Sequence, residues 1–104
     1  MQRDREYLLD VPWAATLASR YLRGIDNAKF LEDFQLQDAV VRRLEIVGEA
    51  TTRLSEETRA MDAGIPWPKM IAMRNHLIHR YDNIDLDVVW QTATGDLPVL
   101  ITRL

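Results

Sequence analysis

The chain is predicted to be all-α, a compact bundle of four to five helices, on three observations. Apolar residues recur at three- and four-residue spacing over most of its 104 residues, the period of an amphipathic helix. No stretch alternates apolar and polar side chains as a half-buried strand does, and there is no internal repeat or low-complexity segment. The breaks between periodic stretches carry helix punctuation, at Gly24, Asp26, Ser55, Pro66 and Asp85. At this length a single domain, residues 1–104, is expected, large enough to bury a core and small enough to be helped by oligomerisation.

The first helix is expected from Arg5 to Arg23, carried by Tyr7, Leu8, Val11, Ala14, Ala15, Ala18, Tyr21 and Leu22 and closing at Gly24. Pro12 lacks the amide that the helix interior needs, so a kink or a separate first turn is expected there. Asp26 is the expected N-cap of a short helix through Phe34, with Phe30, Leu31 and Phe34 as its buried side. The stretch from Leu36 to Leu54 is the clearest helix, with Leu36, Val40, Leu44, Val47 and Ala50 as its apolar stripe. Gly48 inside it costs about 1 kcal/mol relative to alanine, which points to a second helix crossing closely. Ser55 opens a short turn that fades at Asp62-Ala63-Gly64. Pro66 or Pro68 should then open a helix whose row Met70, Met73 and Leu77 faces the core. Asp85 caps a last amphipathic helix through Val89, Ala93, Leu97 and Leu100, weakened at Gly95 and Pro98. Trp13, Trp67 and Trp90 are expected in the core or a dimer interface.

Apolar residues make up 47% and charged residues 28% of the chain, which excludes a disordered class. There is no cysteine, so disulfides, thiolate metal sites and thiol nucleophiles are excluded. No signal-peptide pattern or membrane-length apolar run is present, and a cytoplasmic location without membrane association is the expectation. The formal net charge of −3 is not that of a typical nucleic-acid binder, but the charge is unevenly spread. Between Asp62 and Asp82 there is no acidic residue, while Lys69, Arg74 and Arg80 are basic and His76 and His79 can become so.

Met73-Arg74-Asn75-His76-Leu77-Ile78-His79-Arg80-Tyr81 therefore concentrates the chemistry of the chain. On one continuous helix Arg74 and Tyr81 would return to nearly the same face, and Asn75 and His79 would form an i,i+4 pair. Arg74 and His79 would be separated by about 140° around the axis and roughly 7.5 Å along it. A single chain then offers a loose site, and two copies across a symmetric dimer would offer a tighter composite one. Histidine, with an ordinary pKa of about 6.5, can take a proton from an RNA 2′-hydroxyl or return one to a leaving oxygen. Arginine is permanently charged and suits the extra negative charge of a phosphorane-like transition state. These types in this order point to metal-free phosphodiester cleavage, with Lys69, His76 and Arg80 as further RNA-binding candidates. The plainer alternative is a surface arginine and a capping or core histidine. His76, His79 and Asp82, at i, i+3 and i+6, drift around the helix and make a poor metal cage, so neither a metal nor a cofactor is expected. Asn75 would orient His79 or satisfy helix-end backbone, and Tyr81 would be a half-buried helix aromatic unless it has a function.

Arg74-Asn75-x-x-x-His79-x-Tyr81 resembles the Arg-x4-His-x-Tyr signature of the HepT-like ribonuclease toxins in the HEPN superfamily. Leu44-Glu45-Ile46-Val47-Gly48-Glu49-Ala50 is similar to the family's mid-chain helix, Ile65-Pro66-Trp67 to its approach into the motif helix, and Ile84-Asp85 with Val89-Trp90 to its last helix. The resemblance implies a helical bundle that dimerises with its two motifs facing each other and cleaves RNA as a metal-independent endoribonuclease. It implies catalytic roles for Arg74 and His79, a supporting one for Asn75, and Tyr81 as the site of adenylylation by a cognate nucleotidyltransferase antitoxin. On a shared face with Arg74, an adenylyl phosphate on Tyr81 would compete with the RNA phosphate. The leading expectation is thus the toxin of a toxin–antitoxin pair. The alternative is a non-catalytic helical binding or substrate-recognition subunit of a nucleotidyltransferase.

Overall fold

A computed structural model describes residues 2–104 of the chain, with side chains described from Asp4 onward. Helix α1 spans Gln2–Tyr21 and runs unbroken through Pro12. The expected separate first turn is not formed, because fully buried Val11, Ala14, Ala15 and Ala18 flank the proline and anchor the helix along one line. The chain reverses after α1 at Gly24, whose φ of 74° lies in the left-handed region that glycine adopts without a steric penalty.

Asp26 caps α2 (Asn27–Glu32) by accepting a hydrogen bond from the Lys29 amide at 2.8 Å. This helix stops short of the expected Phe34. Asp33 takes an extended conformation, ends α2 and caps the next helix through the Leu36 amide at 3.0 Å. The buried side reduces to Phe30, and Phe34, now the first residue of α3 (Phe34–Arg53), is 76% exposed. Phe30 packs against the Trp90 ring with centroids 5.4 Å apart, and Gln37 Nε2 donates to the Phe30 carbonyl oxygen at 3.0 Å. Val40, Leu44, Val47 and Ala50 of α3 are buried as their spacing predicts.

Ser55 caps α4 (Glu56–Ala60), and Asp4 at the start of α1 binds the Ser55 amide and hydroxyl and the Thr58 hydroxyl, which ties this corner to the N-terminal helix. Helix α5 spans Trp67–His79, with Met70, Met73 and Leu77 in the core. Asp85 caps α6 (Leu86–Gln91) by accepting from the amides of Asp87 and Val88. The expected weakening at Gly95 is resolved by a change of pitch: a π-helical turn, Thr92–Asp96, carries the chain from α6 into α7 (Leu97–Arg103).

Helix α3 lies between α1 and α5, and α7 closes against α1. Four rods, α1, α3, α5 and the α6–α7 arm, make the bundle, with α2 and α4 as connectors and no strand among the described residues. No helix among them is long and apolar enough to cross a membrane. Trp67 is buried, with its indole N–H donating to the Arg59 carbonyl oxygen at 3.1 Å, and Trp90 is half-buried. Trp13 departs from the expected core position within the single chain: it is 55% exposed, with the Arg43 guanidinium 5.0 Å over its ring.

Candidate active site

Pro66 takes the N-cap position of α5 and Pro68 falls in its first turn, where the leading amides have no intrahelical partner and a missing one is tolerated. Buried Met70, Met73 and Leu77 then fix the rotation of the helix, which directs Arg74 toward α3. Gly48 makes that crossing close. A Cβ at this position would overlap Arg74 Cβ and come within 2.9 Å of the Met70 carbonyl oxygen. The glycine expected to mark a helix crossing therefore marks the place where Arg74 is seated.

Arg74 Nε donates to Glu49 Oε2 at 3.1 Å and Nη1 donates to Asn75 Oδ1 at 2.9 Å. Nη2 makes no hydrogen bond among the described residues. The other oxygen of Glu49, Oε1, accepts from Arg53 Nε at 3.1 Å, and this bond holds the Arg53 guanidinium above its ordinary pKa range. Arg74 stands at the edge of a groove of about 280 Å³ lined in part by Tyr7, Asp10, Arg42, Glu49 and Ile78.

The remaining candidates divide around α5. His79 is the last helical residue and is exposed, and no hydrogen bond joins it to Arg74 among the described residues. Asn75, expected to orient His79 or the helix end, turns instead to Arg74. The helix ends before Tyr81, so the expected shared helical face of Arg74 and Tyr81 is not formed. Arg80 takes a C-cap conformation with φ −125° and ψ 31°, and Tyr81 lies in the turn beyond it, 79% exposed rather than half-buried. His76 Nε2 accepts the Asp85 amide at 3.1 Å and so clips the turn to the start of α6. Among the described residues no group of three His, Asp or Glu side chains is placed to hold a metal ion. Lys69 and His76 line a separate groove of about 310 Å³ against α6 and the π turn, and Lys69 Nζ lies 3.4 Å from Asp96. The basic island of the sequence is thus partly neutralised in three dimensions, at Arg74 by Glu49 and at Lys69 by Asp96.

A family model described as Ribonuclease HepT-like matches residues 12–104. The chain belongs to the HepT-like ribonuclease family. A relative from Thermococcus cleftensis, named Probable ribonuclease HepT, is 38% identical over 96 residues, spanning 92% of this chain and 87% of the relative. A Methanocaldococcus jannaschii protein named as a candidate RNase is 32% identical over 94 residues, 90% of this chain and 86% of its own. Another so named, from Caldanaerobacter subterraneus, is 33% identical over 100 residues, 96% and 89% of the two chains. No solved structure gives a significant match.

In this HepT-like ribonuclease the feature that residue-by-residue reading missed is Glu49. Its bond to Arg74 joins residues 25 positions apart, which no spacing within one helix reveals. The glycine beside it was the available signal, since it marked where a second helix must approach.

Proposed function

We propose that this HepT-like ribonuclease cleaves RNA without a metal ion, by attack of a 2′-hydroxyl on the adjacent phosphorus. The 5′-oxygen of the next nucleotide leaves, and the products are a 2′,3′-cyclic phosphate and a 5′-hydroxyl. The observation that carries this reading is the arrangement on α5: an arginine seated by α3 whose Nη2 has no partner among the described residues, and an exposed histidine about one turn and a half further along the same helix. The guanidinium binds the phosphate and stabilises the charge that builds on it. His79 moves the proton, from the attacking hydroxyl or to the leaving oxygen. Because one chain presents these two groups apart, the active form is a homodimer with the C-terminal ends of two α5 helices facing each other across the RNA, so that each nucleotide meets both groups. Asn75 supports Arg74, and Lys69, His76 and Arg80 contribute to RNA binding from the flanks.

The chain acts as the toxin of a pair whose antitoxin is a separate nucleotidyltransferase, and that partner silences it by transferring AMP from ATP to the Tyr81 hydroxyl, with release of pyrophosphate. An exposed tyrosine in a turn beyond the helix end supports this, since a second protein's active site can surround it. The adenylyl group would act beside His79 and Arg80, by bulk and by negative charge at the C-terminal end of α5, rather than along the face of Arg74.

The test is cleavage of a mixed cellular RNA pool by the purified, unmodified protein in excess EDTA, beside Arg74→Ala and His79→Ala. Cyclic-phosphate ends from the wild type alone are expected. Activity that needs added divalent metal, or persists in His79→Ala, overturns the mechanism. No cleavage in either condition makes the chain a helical binding subunit of the nucleotidyltransferase. In a second arm, incubation with that enzyme and ATP should add one adenylyl mass to the wild type and none to Tyr81→Phe.

A further inference from the structure

Two neighbouring residues of α3 meet Arg74: Gly48 lets its Cβ approach, and Glu49 takes its Nε–H. We infer that Glu49 is a positioning residue for the reaction, holding the Arg74 guanidinium so that Nη2 is presented to the scissile phosphate; this rests on the assignment of Arg74 as the phosphate-binding group.

Three features of the geometry support it. The guanidinium is a rigid planar fork, so fixing Nε through Glu49 and Nη1 through Asn75 fixes the plane and the direction of the remaining nitrogen. Glu49 is itself held, because its second oxygen accepts from Arg53 one turn along α3. Both carboxylate oxygens are thereby committed and the group cannot swing freely. Finally, the Arg74 and Glu49 side chains are 31% and 44% exposed, and an ion pair that open to water contributes little to stability. A carboxylate beside a phosphate-binding arginine also weakens its pull on an anion. A pair that adds little to the fold and works against anion attraction is accounted for by the geometry it imposes.

Positioning acts on the transition state, in which the arginine meets the extra charge, more than on ground-state binding. Glutamine keeps a carbonyl oxygen for the Nε–H and alanine keeps nothing. Glu49→Ala is therefore expected to lower kcat by about 10- to 100-fold with KM within about 3-fold, and Glu49→Gln to recover kcat to within about 3-fold of the wild type.

The experiment is single-turnover and steady-state cleavage of one defined RNA by the full chain, the two Glu49 variants and Arg74→Ala, with helical circular dichroism recorded for each. Wild-type kcat in Glu49→Ala while Arg74→Ala is inactive overturns the positioning role and leaves the assignment of Arg74 standing. Faster cleavage by Glu49→Ala overturns it too, since Glu49 would then only damp the arginine. Equal slowing by both Glu49 variants shows that the charge and not the acceptor matters, and overturns it as well. Activity in Arg74→Ala removes the underlying reading and is a separate failure. If Glu49→Ala does not fold, the wild-type Arg74 Nε–H resonance decides: slow solvent exchange is expected, and fast exchange overturns the inference.

Discussion

The carboxylate of Asp4 accepts from the Ser55 amide at 3.3 Å, from the Ser55 hydroxyl at 2.7 Å and from the Thr58 hydroxyl, joining residues 51 and 54 positions apart. The hydrogen bond from Thr58, and then that from Ser55, hold its pKa below the ordinary value of 3.8, because each favours the ionised form. A lowered folded-state pKa means that the stabilisation is fully present above the unfolded value of 3.8 and is lost as pH falls through the folded value beneath it. Thermal melts from pH 7 to pH 2 should therefore show Asp4→Asn melting below the wild type at neutral pH, with the gap closing below pH 3.8. A gap independent of pH would show that the ionised carboxylate is not what matters. Asp62 makes a comparable tie to the other end of the chain. The Arg103 guanidinium beside it, at 2.7 Å, holds its carboxyl below the usual range and fastens α7 to the turn before α5.

At the scale of the element, α3 and α5 approach as closely as they do because position 48 has no side chain. Alanine has the better helix propensity by about 1 kcal/mol, but its methyl group would have to displace Arg74 Cβ and the backbone at Met70, neither of which is a flexible tip. Overpacking wins, and Gly48→Ala is expected to lose about 1–3 kcal/mol of stability. Since the displaced atom belongs to Arg74, RNA cleavage should fall more steeply than stability does. Chemical denaturation and cleavage assays on one preparation check both; a variant as stable as the wild type would mean that the helices slide apart without strain. The approach into α5 has a comparable division of labour, with prolines setting its first turn and the Met70, Met73 and Leu77 row setting its rotation.

At the scale of the whole molecule, the groups assigned to catalysis and to RNA binding are spread rather than clustered. Arg74 is bonded back to α3, His79 is exposed at the helix end, and Lys69 and His76 line a different groove. The proposed homodimer brings two such partial sites together, so specific activity should fall on dilution below the dimer dissociation constant. Sedimentation velocity across the same concentrations should show the monomer appearing as activity is lost. Constant specific activity in a monomeric range would place a complete site within one chain.

Much of this protein is legible without coordinates. Helix spacing, the capping roles of Asp26 and Asp85, the break at Ser55, and the crossing at Gly48 are local or nearly local effects, written in a few consecutive side chains. The motif from Arg74 to Tyr81 is equally visible, and with it the family. Tertiary structure decided what depends on neighbours distant in sequence. Buried Val11 before it and buried Ala14, Ala15 and Ala18 after it carried α1 through Pro12. Asp33 served two helices at once and left Phe34 exposed. The end of α5 at His79 placed Tyr81 off the helix, because Arg80 leaves helical geometry and His76 clips the turn to Asp85. Above all, the partner of Arg74 came from α3. An ion pair between helices depends on their crossing point and relative rotation, which are set by how the apolar rows pack, and no spacing within either helix contains that information.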